Sequence, residues 1–455
     1  MAMKKVLLCF LGVSLAVSSH SALDAQKVPK RSVNGLIYDL KHPEAQRRKE
    51  AALALGKNEV HDAVPALIQL TEDEQDLVRL EAVRALIRIN DSSALSAYAR
   101  LTYDRRQEIQ KKAIEGIINV YVVESSGFVS GVKKIVNFVN PLTDGYNALM
   151  VEPYLRVSQV AIDGLANLLD SPETGIRKDA AIALGILRAG SALPLIQKSL
   201  FQETNSGVIV ELIRSIYKIG DSSAGQSVIP LIRDPDKKVH DEAIFTLGRL
   251  RVVEAVPDLK EIYESEVEER KKFLGVIPVS GRDDLQKKII EALAYIGDPS
   301  CQELFMNALQ DERDFYRGLG AEGLGRAGDP GFATEVARKY LAEESSDVKL
   351  AMSYALYRLG RDEHLVELVD EVGKDQSYHY LLEMSSLEIE KLYPYLHKTR
   401  TSTQMRLINV LGLRATASAL PIIQEMMESE DAEIASAANL ASRRIQGRDT
   451  VFGGP

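Results

Sequence analysis

The chain has 455 residues, 45% hydrophobic and 27% charged, with 65 acidic against 56 basic side chains and a formal net charge of −9. That balance argues against general binding to a nucleic-acid backbone, which needs a basic surface, and two cysteines exclude a disulfide scaffold. With no tryptophan and 6% aromatics, small and medium aliphatic side chains must do the packing, which suits close helix–helix contact.

At the N-terminus Lys4 and Lys5 precede an apolar run from Val6 to Val17, and Ser19-His20-Ser21 offers a small-x-small cleavage site. This order reads as an export signal over residues 1–21; the run is short for a membrane span. Cys9 lies inside the run without a Leu-x-x-Cys box, so lipid anchoring is not expected, and after cleavage Cys301 is the one cysteine left. Residues 22–34 read as a flexible linker. The mature chain is expected to be soluble, in the periplasm or outside the cell.

From residue 35 to 446 one pattern recurs. Ala51, Ala82 and Ala113 stand at steps of 31, and the phase resumes at Ala180, Leu212, Ala243, Ile289, Gly320, Met352 and Leu407. Each marks a helix A, with units ending near 56, 87, 118, 185, 217, 248, 294, 325, 357 and 412. In unit one, Arg47 to Gly56 is helix A, Lys57 to Asp62 a turn, and Ala63 to Leu70 helix B. Pro65 falls in the first turn of helix B, where a missing N–H costs nothing. Pro194, Pro257 and Pro421 follow Gly185, Gly248 and Gly412 at the same interval. Glycine at the end of helix A is expected to supply a left-handed cap, and the following Asp or Ser (Asp91-Ser92, Asp221-Ser222, Asp298, Asp329) to cap helix B. Such a unit cannot bury its apolar face alone and must stack on neighbours.

Two stretches break the rhythm. Residues 122–158 insert a Gly-, Val-, Asn- and Tyr-rich segment, with a short amphipathic helix at Val132–Val139 and a turn cluster from Asn140 to Tyr146. A displaced helix B follows at 159–170. Residues 264–284 insert a charged stretch and then Phe273-Leu-Gly-Val-Ile277-Pro278-Val279. A degenerate unit is expected at 376–398, and residues 447–455 read as a disordered tail.

The unit Asp76-Leu-Val78-Arg79-Leu-Glu-Ala82-Val-Arg-Ala85-Leu86, repeated as Ile176-Arg177-Lys-Asp-Ala180-Ala-Ile-Ala183-Leu184-Gly185, resembles the short HEAT repeat of the phycobilisome-lyase (PBS lyase) HEAT-like type. The resemblance spans roughly residues 35–445. It implies an all-α fold, a right-handed α-solenoid of about ten to twelve helix pairs that mostly binds proteins, and implies lyase activity only weakly.

No motif carries recognisable catalysis. Gly318-Leu-Gly320-Ala-Glu-Gly323 and Gly323-Leu-Gly325-Arg-Ala-Gly328 imitate a dinucleotide loop, but a helix start precedes them in place of a strand, and the glycines read as close helix contacts. His61-Asp62 and His240-Asp241 occupy different repeat phases, and Asp234-Pro-Asp236 lacks the later calcium-loop residues. Arg48, Arg79, Arg177, Arg317 and Lys349 share one repeat position; the ladder is expected to bond neighbouring acids and carbonyls, fixing the stack, rather than to grip a partner. Candidate interaction residues are Ile135, Phe138, Tyr146 and Tyr154 in the first insertion, and Tyr378, Tyr380, Tyr393 and Tyr395 in the degenerate unit. An interface role and a covering or core-filling role both stay open for them.

The sequence thus predicts an exported, non-catalytic interaction scaffold without cofactor or metal, binding other cell-envelope proteins on its concave face and insertions. Two other readings remain: an enzyme or chromophore-handling protein using 122–158, and a membrane-surface adaptor using Val132–Val139.

Overall fold

The computed structural model describes residues 32–125, 149–152, 154–273 and 282–452. Those residues are helical or irregular, with no strand among them. Helix α1 (Val33–Asp39) leads, capped by the Ser32 hydroxyl, and helix pairs then stack one on the next. The A helices are α2 (Ala45–Lys57), α4 (Asp76–Ile89), α6 (Gln107–Ser125), α8 (Thr174–Ile186), α10 (Ser206–Ile219), α11 (Lys237–Arg249), α13 (Arg282–Ile296), α15 (Asp314–Ala327), α17 (Ser346–Arg358), α19 (Asp375–Leu382), α20 (Thr401–Arg414) and α22 (Ala432–Phe452). The B helices between them are α3 (Val64–Leu70), α5 (Leu95–Leu101), α7 (Gln159–Asn167), α9 (Leu193–Gln202), α12 (Val256–Phe273), α14 (Gln302–Leu309), α16 (Ala333–Ala342), α18 (Leu365–Asp370) and α21 (Leu420–Met427). After α10 and α19 the B position is taken by 3-10 turns, Ser222–Ser227 with Ile229–Arg233 and Ile389–Tyr395. The chain is an α-solenoid, as its periodicity predicts.

The turns follow the predicted chemistry in part. Asp91, Asp221, Asp298 and Asp329 each accept a backbone N–H two residues on, at 2.8–2.9 Å, and so cap the start of helix B. Gly220, Gly297, Gly328 and Gly360 adopt the left-handed cap. Gly56, Gly185, Gly248 and Gly412 do not: they lie inside helix A. After the first three, the left-handed residue comes three positions later, at Glu59, Arg188 and Arg251.

Those helical glycines set the curvature. A Cβ on Gly56 would stand 2.6 Å from the Ala85 Cα, on Gly248 2.6 Å from Ala292, on Gly325 2.7 Å from Ala355, and on Gly412 2.8 Å from Ala441. Each pair brings the backbones of consecutive A helices together, which a side chain would prevent. Gly320 and Gly323 instead receive the α14 backbone and the Phe305 ring. The A side of the stack is therefore drawn tight. Tyr380 of α19 reaches Glu322 of α15 past α17, and Arg251 after α11 reaches Glu383 after α19. Residues two and four units apart can touch only on the inside of a curve, so the A helices form the inner wall.

The C-terminal tail departs from expectation. Helix α22 continues to Phe452, and Arg448 donates to the carbonyls of Gly412, Leu413 and Ala415 at the open end of α20. A helix leaves its last carbonyls unpaired, and this arginine fills them.

Candidate functional site

The arginine ladder is structural. Arg48, Arg79, Arg177 and Arg317 each form a two-pronged pair with an acid 25 or 26 residues on: Asp73, Asp104, Glu203 and Glu343. The Nη1 of each also donates to two carbonyls in the loop before its own helix, at residues 42 and 43, 73 and 74, 171 and 172, and 311 and 312. Every fork thus ties the loops on either side of one unit. His240, at the same position, contacts the Asp234 carbonyl at 3.2 Å. These cations are consumed by the stack.

The inner wall carries a different set. One residue before the repeating Ala stand Glu81, Lys112, Asp179, Glu211, Glu242 and Lys288. Two of them, Glu211 and Glu242, border a groove of about 920 Å³ between α8, α10 and α11, lined also by Lys178, Arg214, Tyr217, Lys238 and Phe245 among others. Arg214 bridges Glu211 on its own helix at 3.0 Å and Glu242 on the next at 2.9 Å. Burial raises the Glu242 carboxyl above its usual range, which Arg214 partly offsets, and burial lowers Lys218. Asp179 is pushed up to about 6 by burial, with Lys111 and Lys178 pulling the other way.

A file of rings and guanidinium groups runs on from this groove. Tyr217 meets Phe245 edge-on at 5.4 Å. Arg249 lies 5.2 Å from the Phe245 centroid and 3.9 Å from Tyr295, and Arg326 lies 4.5 Å from Tyr295 and 5.2 Å from Tyr354. Tyr354 stacks on Tyr380 at 4.2 Å. The file crosses α10, α11, α13, α15, α17 and α19. Phe245, second in the file, is 41% exposed, whereas Tyr380 at the far end is 4% exposed.

Around Arg326 the network is buried and paired. Its guanidinium grips Glu383 at 2.9–3.2 Å and Glu322 at 2.9 Å, and donates to the Ala294 carbonyl. Tyr354 donates to Glu383 at 2.7 Å and Tyr380 to Glu322 at 2.5 Å. Burial pushes Glu383 up, but the hydrogen bonds and charge of Arg326 outweigh it and hold the carboxyl at about 2.

Of the residues singled out in the sequence, Ile135, Phe138 and Tyr146 lie outside the described residues. Tyr154 packs against the backbone of Gly447 in α22. Tyr378 is half-buried and donates to Asn409 at 2.6 Å under the Arg406 guanidinium. Tyr393 and Tyr395 are half-buried against the core. Tyr380 is interior, so the four degenerate-unit tyrosines do not form one surface group. The inner file was missed by sequence reading. Its signal is positional: Phe245 and Tyr354 stand two residues after the repeating position, and Arg249, Tyr295 and Arg326 six residues after it.

Among the described residues no cluster of three His, Cys, Asp or Glu side chains is placed to hold a metal, and no helix is long and apolar enough to cross a membrane. His61 faces Asp91, and His240 faces Asp241.

The fold and the inner wall define the class: an α-solenoid of two-helix repeats with a charged, aromatic concave face. Residues 33–118 match the model for HEAT repeats. The "Uncharacterized phycocyanin operon protein Z" of Pseudanabaena tenuis (strain PCC 7409) is 21% identical over 224 residues, 49% of this chain and 96% of that protein. Among solved structures, an engineered protein is 18% identical, with a TM-score of 0.42 over 91% of this chain and 98% of its own. A designed armadillo repeat protein, also 18% identical, has a TM-score of 0.32 over 48% of this chain and 100% of its own.

Proposed function

We propose that the protein is a non-catalytic scaffold that holds a segment of a partner protein along its inner wall. The observation that carries this reading is the groove from Lys178 to Phe245, where an exposed ring and several charges line one continuous surface. Aromatic and arginine side chains anchor interfaces because they bury much area at low entropic cost, while charges around them select partner and register. Export belongs to the same proposal, supported by Lys4-Lys5, the apolar run Val6–Val17 and the small-x-small triplet. The partner is then a protein of the cell envelope.

The test is capture of partners from a cell-envelope extract on the mature chain and on Phe245→Asp and Lys178→Glu/Lys238→Glu variants. Loss of the same partner in both variants, with helicity intact by circular dichroism, supports the groove. Full retention in both removes it. N-terminal sequencing of the protein from its native cells tests export: an unprocessed Met1 chain in the cytoplasm ends that part of the proposal.

A further inference from the structure

In an open solenoid each unit touches only its neighbours. Here two carboxylates are gripped from far along the chain. Glu152 accepts from Arg444 of α22, at 2.8 Å from Nε and 2.5 Å from Nη2, across 292 residues of sequence. The two side chains are 17% and 13% exposed. Beside them a Cβ on Gly447 would stand 2.2 Å from the Tyr154 Cβ, so α22 and the segment around Tyr154 meet backbone to side chain. That segment is anchored on the inner wall by the Val151 N–H on the Ile186 carbonyl and by the Ser158 N–H on the Tyr121 hydroxyl.

The second carboxylate is Glu383. Arg326 holds it from one side and Arg251 from the other, at 2.5 Å and 132 residues away. Arg188 and Arg251 each stand three residues after a helical glycine, Gly185 or Gly248, with positive φ. Arg251 donates to Glu383, and the charges of Arg188 and Glu152 attract each other.

We infer that these contacts are latches: Glu152 with Arg444, and Glu383 with Arg251, hold the solenoid curled so that its C-terminal helices lie across the inner wall, and releasing the first latch opens it. The curl itself stands apart from the proposed partner reading. Only its consequence, that opening governs access to the groove, rests on that reading.

The experiment reads shape and needs no partner. Small-angle scattering is recorded on the full mature chain, Arg444→Glu, Glu152→Arg, and the double swap. Each single reversal is expected to raise the radius of gyration by about a tenth or more, and the double swap to restore it, with helicity unchanged. Unchanged dimensions in both folded single variants overturn the inference. If a single variant loses helicity, the charge-neutral Glu152→Gln and Arg444→Gln variants decide: a larger radius of gyration with native helicity supports the latch, and unchanged dimensions in both overturn it.

Discussion

Asp179 stands among the charges of the inner wall with its carboxyl pushed up to about 6 by burial. For an acid whose folded pKa is raised, the protonated form is favoured by folding. Its contribution is complete below the ordinary value of 3.8 and is lost as pH rises through about 6. Asp179→Asn should therefore raise the melting temperature at pH 7, by an amount equivalent to roughly 1–2 kcal/mol after allowing for partial exposure. The gain should vanish near pH 4. Thermal melts across that range check it, and an equal gain at both ends would place the cause elsewhere. The ladder residues behave differently. Arg79 is forked onto Asp104, whose side chain is 7% exposed, so Arg79→Met leaves a buried carboxylate unpaired. A loss of about 2–4 kcal/mol is expected. Arg100→Ala, whose pair with Glu72 is half in water, should change stability by no more than about 0.5 kcal/mol. Hydrogen exchange resolved by unit suits the comparison, because stacked repeats need not unfold as one.

At the scale of the element, the deciding feature is what each helical glycine faces. A Cβ on Gly248 would stand 2.6 Å from the Ala292 Cα, whereas one on Gly318 would meet nothing nearer than the Ala351 Cβ at 4.0 Å. Both sit inside A helices. Gly248→Ala must push α11 and α13 apart, at a cost of about 1–3 kcal/mol. Gly318→Ala removes backbone freedom from the unfolded chain and should stabilise by about 0.5–1 kcal/mol. Denaturant melts of the two variants should move in opposite directions. The sequence shows both glycines alike. Its Leu-Gly pairs suggest helix ends, because glycine is the usual left-handed cap, yet Gly56, Gly185 and Gly248 are packing residues and the turn falls on Glu59, Arg188 and Arg251. The Asp caps of helix B and the placement of proline were legible, since both answer to backbone chemistry within three residues.

Across the whole molecule, the buried hub should contribute to the loss of stability in acid. Glu383 is held at about 2, below its ordinary 4.5, so its stabilisation is present above pH 4.5 and lost as pH falls toward 2. The shift corresponds to roughly 3 kcal/mol. Glu383→Gln should flatten the acid limb of the stability profile between those values, as followed by circular dichroism. If the limb keeps its steepness, other carboxylates govern acid unfolding. The same substitution weakens the Arg251 contact, so scattering on it at neutral pH separates the hub's stability from its part in the curl.

The repeat, the helix pairs, the Asp caps of helix B and the bonding of Arg48, Arg79, Arg177 and Arg317 were all determined by sequence alone. Each depends on spacing within one unit or between adjacent units, and a period of about 31 exposes such spacing directly. The inner groove, the file from Tyr217 to Tyr380, and the contacts of Glu152 with Arg444 and Glu383 with Arg251 were decided only by the tertiary structure. They depend on the curvature of the stack, which accumulates from small offsets at every glycine–alanine crossing. Residues 292 apart meet because those offsets add, and no local pattern records their sum.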